Sequence, residues 1–258
     1  MNSKTAQLEA LERLLVIMDE LREQCPWDRK QTFETLRNLT IEETYELADA
    51  ILEGDLESIK KELGDLLLHI VFYAKIGSEK EAFDLGDIAH AIAEKLIQRH
   101  PHIYGDISVS NAEEVKQNWE AIKLKEGNTS VLAGVPKGLP ALIKATRMQE
   151  KAAGVGFDWK HKDQVWNKYQ EELTELQMAL KGEDPKAIEA ELGDVLFSLV
   201  NYARFIGVDP SNALERTNQK FLKRFQFIEA QAAHQNKSIN ELSLEEMETH
   251  WQAAKKSN

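Results

Sequence analysis

The chain has 258 residues, 42% of them hydrophobic and 29% charged, a balance that suits one large or two ordinary soluble domains. A net charge of −12 repels a phosphate backbone, which argues against bulk nucleic-acid binding while leaving room for a small basic pocket. The one cysteine, Cys25, cannot form an internal disulfide. The longest apolar stretch, residues 66–74, is interrupted by His69 and is far shorter than the roughly 20 residues of a membrane span, so a cytoplasmic protein with no membrane partner is expected.

Residues Met1 to Leu8 are polar and carry no apolar signal core. The first clear helical period has Ile41, Tyr45, Ala48 and Leu52 on an apolar stripe. Glu42, Glu46, Asp49 and Glu53 lie on an acidic one, with Glu43 beside Glu46. Gly54 follows as the expected C-cap. The next helix sets Leu63, Leu66, Leu67, Ile70, Val71 and Ala74 on one apolar stripe, with Glu62, Asp65 and His69 on a shared flank. A short connection between the two predicts an antiparallel pair. Lys95 and Arg99 come one turn apart, then a loop with His100, Pro101 and His102, then Trp119 and Lys123. The stretch from Gly127 to Pro140 is rich in Gly and Pro, and it places a boundary between domains 1–130 and 131–258.

Beyond that boundary the pattern restarts. Glu42, Glu43, Glu46, Glu62 and Asp65 recur at one constant offset as Glu171, Glu172, Glu175, Glu191 and Asp194. The apolar stripe recurs as Leu192, Val195, Leu196, Leu199, Val200 and Ala203, and Gly182 stands as the second C-cap glycine. Lys220 and Arg224 repeat Lys95 and Arg99, and Trp251 and Lys255 repeat Trp119 and Lys123. The expected fold is all-α, a tandem repeat of two helical bundles.

Like charges three or four residues apart on a helix repel one another, and a facing acidic helix adds to this. A fold that tolerates it needs counter-charge. A set of oxygen donors with no Cys and little His suits Mg²⁺ and not zinc. A single Glu-x-x-Glu is usually a solvated helix face; it is the duplication of two facing pairs that points to a metal. Gly64 and Gly193, each before the aspartate, would suit a close helix approach beside the ligands, or are simply tolerated.

The combination of Glu-Glu-x-x-Glu with Glu-Leu-Gly-Asp resembles the motif of the MazG superfamily of all-α nucleotide pyrophosphohydrolases. Four further segments share the resemblance: Cys25-Pro26-Trp27-Asp28, Lys95 to His102, Gly134 to Pro140, and Val155-Gly156-Phe157-Asp158-Trp159. The resemblance implies two MazG-like domains, a homodimer, and Mg²⁺-dependent hydrolysis of nucleoside triphosphates to monophosphate and pyrophosphate. It also implies a role in removing unwanted nucleotides or adjusting nucleotide pools.

By that motif, Glu172, Glu175, Glu191 and Asp194 would ligate Mg²⁺ in the second copy, matched by Glu43, Glu46, Glu62 and Asp65 in the first. Glu171 would orient or deprotonate the attacking water, or hold a lysine. Lys168, Lys220 and Arg224 would contact the triphosphate. Trp251 would stack on a base or pack in the core, and Lys255 would reach phosphate or be solvated. Glu171, Glu172, Glu175 and Lys220 form the expected catalytic set. Lys168 and Asn218 match Leu39 and Ala93 in the first copy, which makes the second copy the expected working site. The competing readings are a di-iron or di-manganese helical protein, a non-catalytic Mg²⁺–nucleotide sensor, and a dedicated dUTP or dCTP hydrolase.

Overall fold

The computed structural model describes residues 1–111, 114–115, 118–119, 122 and 130–256, and no strand occurs among them. The chain forms two compact units, Met1–Val115 and Lys116–Asn258. Among the described residues, no helix is long and apolar enough to cross a membrane. Trp119 is half-buried in a helical segment; its expected partner Lys123 lies outside the described residues.

In the first unit, helix α1 (Lys4–Gln24) starts at Ser3, whose hydroxyl accepts from Ala6 N at 3.1 Å. Thr32 and Thr35 cap α2 (Phe33–Glu53) reciprocally, and Asp55 caps α3 (Leu56–Glu79). Short polar side chains at these positions satisfy amide groups that have no partner within the helix. Helices α4 (Leu85–Arg99) and α5 (Pro101–Tyr104) follow. The α2–α3 pair is closed by α1, and the core joins Met18, Leu36, Val71, Phe72 and Ile76. Across it, Thr40 Oγ1 and Tyr73 Oη lie 2.7 Å apart.

The second unit is built from α6 (Ala141–Ala153), α7 (Lys162–Gly182), α8 (Pro185–Phe205), α9 (Pro210–His234) and α10 (Leu244–Lys256). Asp184 and Asp209 cap α8 and α9, and each precedes a proline, whose missing N–H costs nothing in the first turn. Helices α7 and α8 pack closely together, α6 lies on α8, and α10 folds back on α9 over Ile228, Ala232 and Leu242. The start of α10 is fixed by Ser243 and Glu246. The Glu246 carboxylate accepts from Ser243 N at 2.7 Å and pairs with Lys237 at 2.9 Å, which together hold its pKa down at about 2.

Two expectations of the pattern are corrected here. The apolar stripe of α3 does not all enter the core: Val71 and Ala74 are buried, whereas Leu63, Leu67 and Ile70 are exposed and Glu62 and His69 are buried instead. On α8, likewise, Val195 and Val200 are buried while Leu192, Leu196 and Leu199 are exposed. The stripe is wider than the one neighbouring helix can cover, and the helix is turned so that its acidic flank meets the partner helix. The second correction concerns the helix ends. Gly54 takes the left-handed conformation expected of a C-cap (φ 73°), but Gly182 remains in the last turn of α7 and Glu183 takes that conformation (φ 56°).

A side chain with a Cβ is strained in the left-handed region by roughly 1 kcal/mol or a little more. Glu183→Gly should therefore stabilise the second unit by about 1 kcal/mol, seen as a higher denaturant midpoint at unchanged slope. Gly54→Ala should shift the first unit in the opposite direction.

Candidate functional site

The tight turn between α7 and α8 sets the two helices against each other. Glu172 and Glu175 on α7 then meet Glu191 on α8: one carboxylate oxygen from each lies within 4.8 Å of the other two. The same holds in the first unit for Glu43, Glu46 and Glu62, from α2 and α3. Asp194 shares a cavity wall with Glu172 and Lys168, and Asp65 stands 3.8 Å from Lys61. Gly64 and Gly193 have open space where a Cβ would point, so no close helix approach among the described residues explains them.

The charge on these clusters is only partly compensated. In the second unit Lys168 donates to Glu171 at 2.7 Å and to Glu172 at 2.9 Å, and these bonds push its pKa well above the ordinary lysine range. Glu175 is pushed up by desolvation and by the hydrogen bond and charge of Glu172. In the first unit Lys61 reaches Glu62 at 2.9 Å. Glu43 is still pushed up, by desolvation first and then by Asp65, Glu46 and Glu62. Glu62 is only 6% exposed, and its Oε2 is buried without a hydrogen-bond partner among the described residues. Converging carboxylate oxygens, carboxyls held above their ordinary range and a buried oxygen lacking a donor fit a hard divalent cation that takes oxygen ligands.

What distinguishes the units is the surroundings. In the second, a cavity of about 660 Å³ opens beside Glu172, Asp194 and Lys168, a size typical of small-molecule sites. Its far walls are apolar and aromatic, with Phe157, Trp159 and Phe197 among them, and Gln149, Asn201 and Arg204 add polar groups. Gly156 (φ 87°) turns the chain into Phe157 and Asp158. Asp158 holds Arg204 through two hydrogen bonds, of 2.5 and 2.9 Å, which tie this loop to α8. In the first unit, at the offset of the carboxylates, Asn201 is matched by Phe72, Val165 by Leu36 and Lys168 by Leu39. Phe72 and Leu36 are buried in the first unit's core, and Leu39 packs against it.

The expected site residues therefore fall into two groups. Lys168, Glu171, Glu172, Glu175 and Glu191 come together at the α7–α8 pair, while Asp194 lines the cavity beside Glu172 and Lys168 outside the group of three converging carboxylates. Lys220, Arg224, Trp251 and Lys255 sit on the α9–α10 hairpin. There the Trp251 ring packs against Phe221, with centroids 5.2 Å apart, and under the Arg224 guanidinium at 5.4 Å. The cavity's far end was not read from the sequence as a site. Its one visible signal was the Val155 to Trp159 segment, whose role depends on contacts with distant helices.

The sequence matches a family model described as the MazG nucleotide pyrophosphohydrolase domain over residues 31–104 and again over 162–226. It is 41% identical over 258 residues to a nucleoside triphosphate pyrophosphohydrolase of Escherichia coli strain K12, spanning 96% of this chain and 98% of that protein. It is 44% identical over 249 residues to a nucleoside triphosphate pyrophosphohydrolase/pyrophosphatase of Thermotoga maritima, spanning 95% of each. A nucleoside triphosphate pyrophosphohydrolase of Mycobacterium tuberculosis is 37% identical over 152 residues, 58% of this chain and 46% of that one.

Glu43 and Glu175 have folded pKa values above the ordinary carboxyl range, so the folded state holds protons more tightly than the unfolded state. Their contribution to stability is present below the unfolded pKa and is lost as pH rises through the raised folded values. A bound divalent cation removes that loss and displaces the protons. Adding Mg²⁺ to the metal-free protein should therefore raise the melting temperature, and at a pH low enough for these carboxyls to carry protons it should release them. Calorimetry in buffers of different ionisation enthalpy measures the release, which should shrink in Glu175→Gln.

Proposed function

The chain belongs to the MazG nucleotide pyrophosphohydrolase family, and from that premise we propose that its α7–α8 cluster is the working site of a nucleoside triphosphate pyrophosphohydrolase. The observation that carries this assignment is the cavity. It joins Lys168, Glu172 and Asp194 to a ring-lined space large enough for a nucleoside, at the place where the first unit has core side chains.

In the reaction a water oxygen bonds to the α-phosphorus, the bond from that phosphorus to the bridging oxygen breaks, and pyrophosphate leaves with that oxygen. Glu172, Glu175, Glu191 and Asp194 would hold Mg²⁺, which when bound neutralises phosphate charge and makes a water more acidic. Glu171, with one oxygen held by Lys168, keeps its second oxygen to orient the water and accept its proton. Lys168 offers positive charge beside the carboxylates. Lys220 and Arg224 on α9, a helix that packs on α8, would offset the charge of the leaving pyrophosphate, with Lys255 contributing from α10. The packing of Trp251 among Phe221 and Arg224 favours a structural role for its ring and leaves the base to the cavity.

We further propose domain limits near residue 130, a cytoplasmic setting, broad base acceptance and a part in clearing unwanted nucleotides. A homodimer is supported by the exposed apolar side chains Leu192, Leu196 and Leu199 on α8, with Leu63, Leu67 and Ile70 on α3, since such faces call for cover.

With Mg²⁺ and a panel of ribo- and deoxyribonucleoside triphosphates, the protein should release pyrophosphate and no orthophosphate. Glu172→Ala should lower kcat by about 100-fold or more, while Glu43→Ala retains most of the activity; the reverse pattern would move the working site to the first unit. In sedimentation experiments the protein should run as a dimer and Leu196→Glu should shift it toward monomer. A wild-type monomer would remove the dimer reading.

A further inference from the structure

Lys168 is bonded to two of the carboxylates that the reaction would use. Its Nζ lies 2.7 Å from Glu171 and 2.9 Å from Glu172, and its charge is felt at Glu175 as well. The Glu172 side chain is only 11% exposed, so water does little to balance its charge. An ammonium group and a divalent cation therefore compete for the same carboxylate and repel each other across it.

Comparison of the two units shows that this lysine does more than supply counter-charge. In the first unit that charge comes from the opposite helix, through Lys61 on α3, where the second unit has Ala190. Lys61 is 67% exposed on the helix surface, and Lys168 is matched there by Leu39, which packs against the core. Lys168, by contrast, lines the cavity with Glu172 and Asp194. An ammonium has three donors, and Glu171 and Glu172 use two, so one is left for a group in the cavity. The four-carbon stem lets the head group change partners while the helix stays in place.

Resting on the pyrophosphohydrolase reading above, we propose that Lys168 is a tethered counter-ion that holds a divalent cation off Glu172 until a nucleoside triphosphate arrives. The lysine then keeps its bond to Glu171 and exchanges its bond to Glu172 for one to a phosphate oxygen. Glu172 is released to ligate, and the phosphate charge offsets the lysine and the cation together. Cation and substrate therefore load as a pair, each strengthening the other by the same factor.

The experiment titrates Mn²⁺, followed through the spin-resonance signal of the free ion, with and without α,β-methylene-ATP. That analogue has no bridging oxygen to leave from the α-phosphorus. Every protein compared carries Glu43→Gln, which weakens the first cluster, so that the change read belongs to the second unit. Lys168→Met should bind Mn²⁺ alone about tenfold more tightly, the effect of removing one charge beside a doubly charged ion. The gain in Mn²⁺ affinity that the analogue brings should shrink by about the same factor. Lys168→Arg keeps the charge and should behave as the protein with Lys168 does. Unchanged or weaker binding of Mn²⁺ alone in Lys168→Met overturns the proposal and leaves Lys168 a plain phosphate contact. Tighter binding with undiminished coupling overturns it too and leaves a structural counter-ion. A Lys168→Arg protein that matches Lys168→Met makes packing, not charge, the cause, with the same consequence. If the analogue leaves Mn²⁺ affinity unchanged in the protein with Lys168, the proposal fails whether or not the variants fold. The titration needs no turnover, so it remains readable if no nucleotide yields pyrophosphate, the result that would instead reject the underlying activity.

Discussion

Repulsion among carboxylates that face one another across a helix pair is the constraint on which the rest of this molecule depends. The α7–α8 pair brings three such groups within 4.8 Å, and the α2–α3 pair does the same. Neither arrangement is favourable for the bare chain. Glu43 and Glu175 hold their protons above the ordinary range, and in each unit one lysine is drawn in to pair with part of the charge. The packing must therefore hold the helices in place against this repulsion. The caps at Asp55 and Asp184 and the tight helix packing supply that restraint. A cation-ready cluster is thus kept open by contacts made elsewhere in each unit.

The same constraint explains how the helices are turned. Burying Glu62 and His69 rotates α3 away from the orientation its apolar stripe alone would choose, and Leu63, Leu67 and Ile70 are left outside. Periodicity identifies the helices correctly, because it depends only on spacing along one element. It does not say which flank of a broad stripe meets the neighbour, because that depends on what the neighbour presents. The carboxylate cluster was legible for a related reason: all its members lie on two adjacent helices joined by a short turn, so sequence spacing nearly determines their meeting. The left-handed residue at the end of α7 was not legible. Glycine preference pointed to Gly182, but helical geometry persists one residue further and Glu183 takes the conformation.

The far end of the cavity was least visible in the sequence. Gln149 on α6, Phe157 in a loop and Asn201 on α8 are well separated along the chain, and only the docking of α6 on α8 brings them to one wall. Each is an unremarkable residue alone. A glutamine in a helix reads as a solvated position, and only three-dimensional packing shows it to be 7% exposed with its carbonyl oxygen unpaired.

The two repeats surround the same acidic residues with different side chains. Where the second unit has Asn201 and Lys168, the first has Phe72 and Leu39, and these contribute to a core that also holds Met18 and Leu36. Filling that space adds apolar contact and stability, but it removes the room a nucleoside needs. The first unit retains a possible cation cluster beside a packed interior, whereas the second keeps its cluster beside an open cavity. Duplicated carboxylates alone therefore do not determine where the substrate goes. On the proposed reading, the side chains one or two helical turns away on the same helices would do so, by either closing the space beside the cluster or leaving it open.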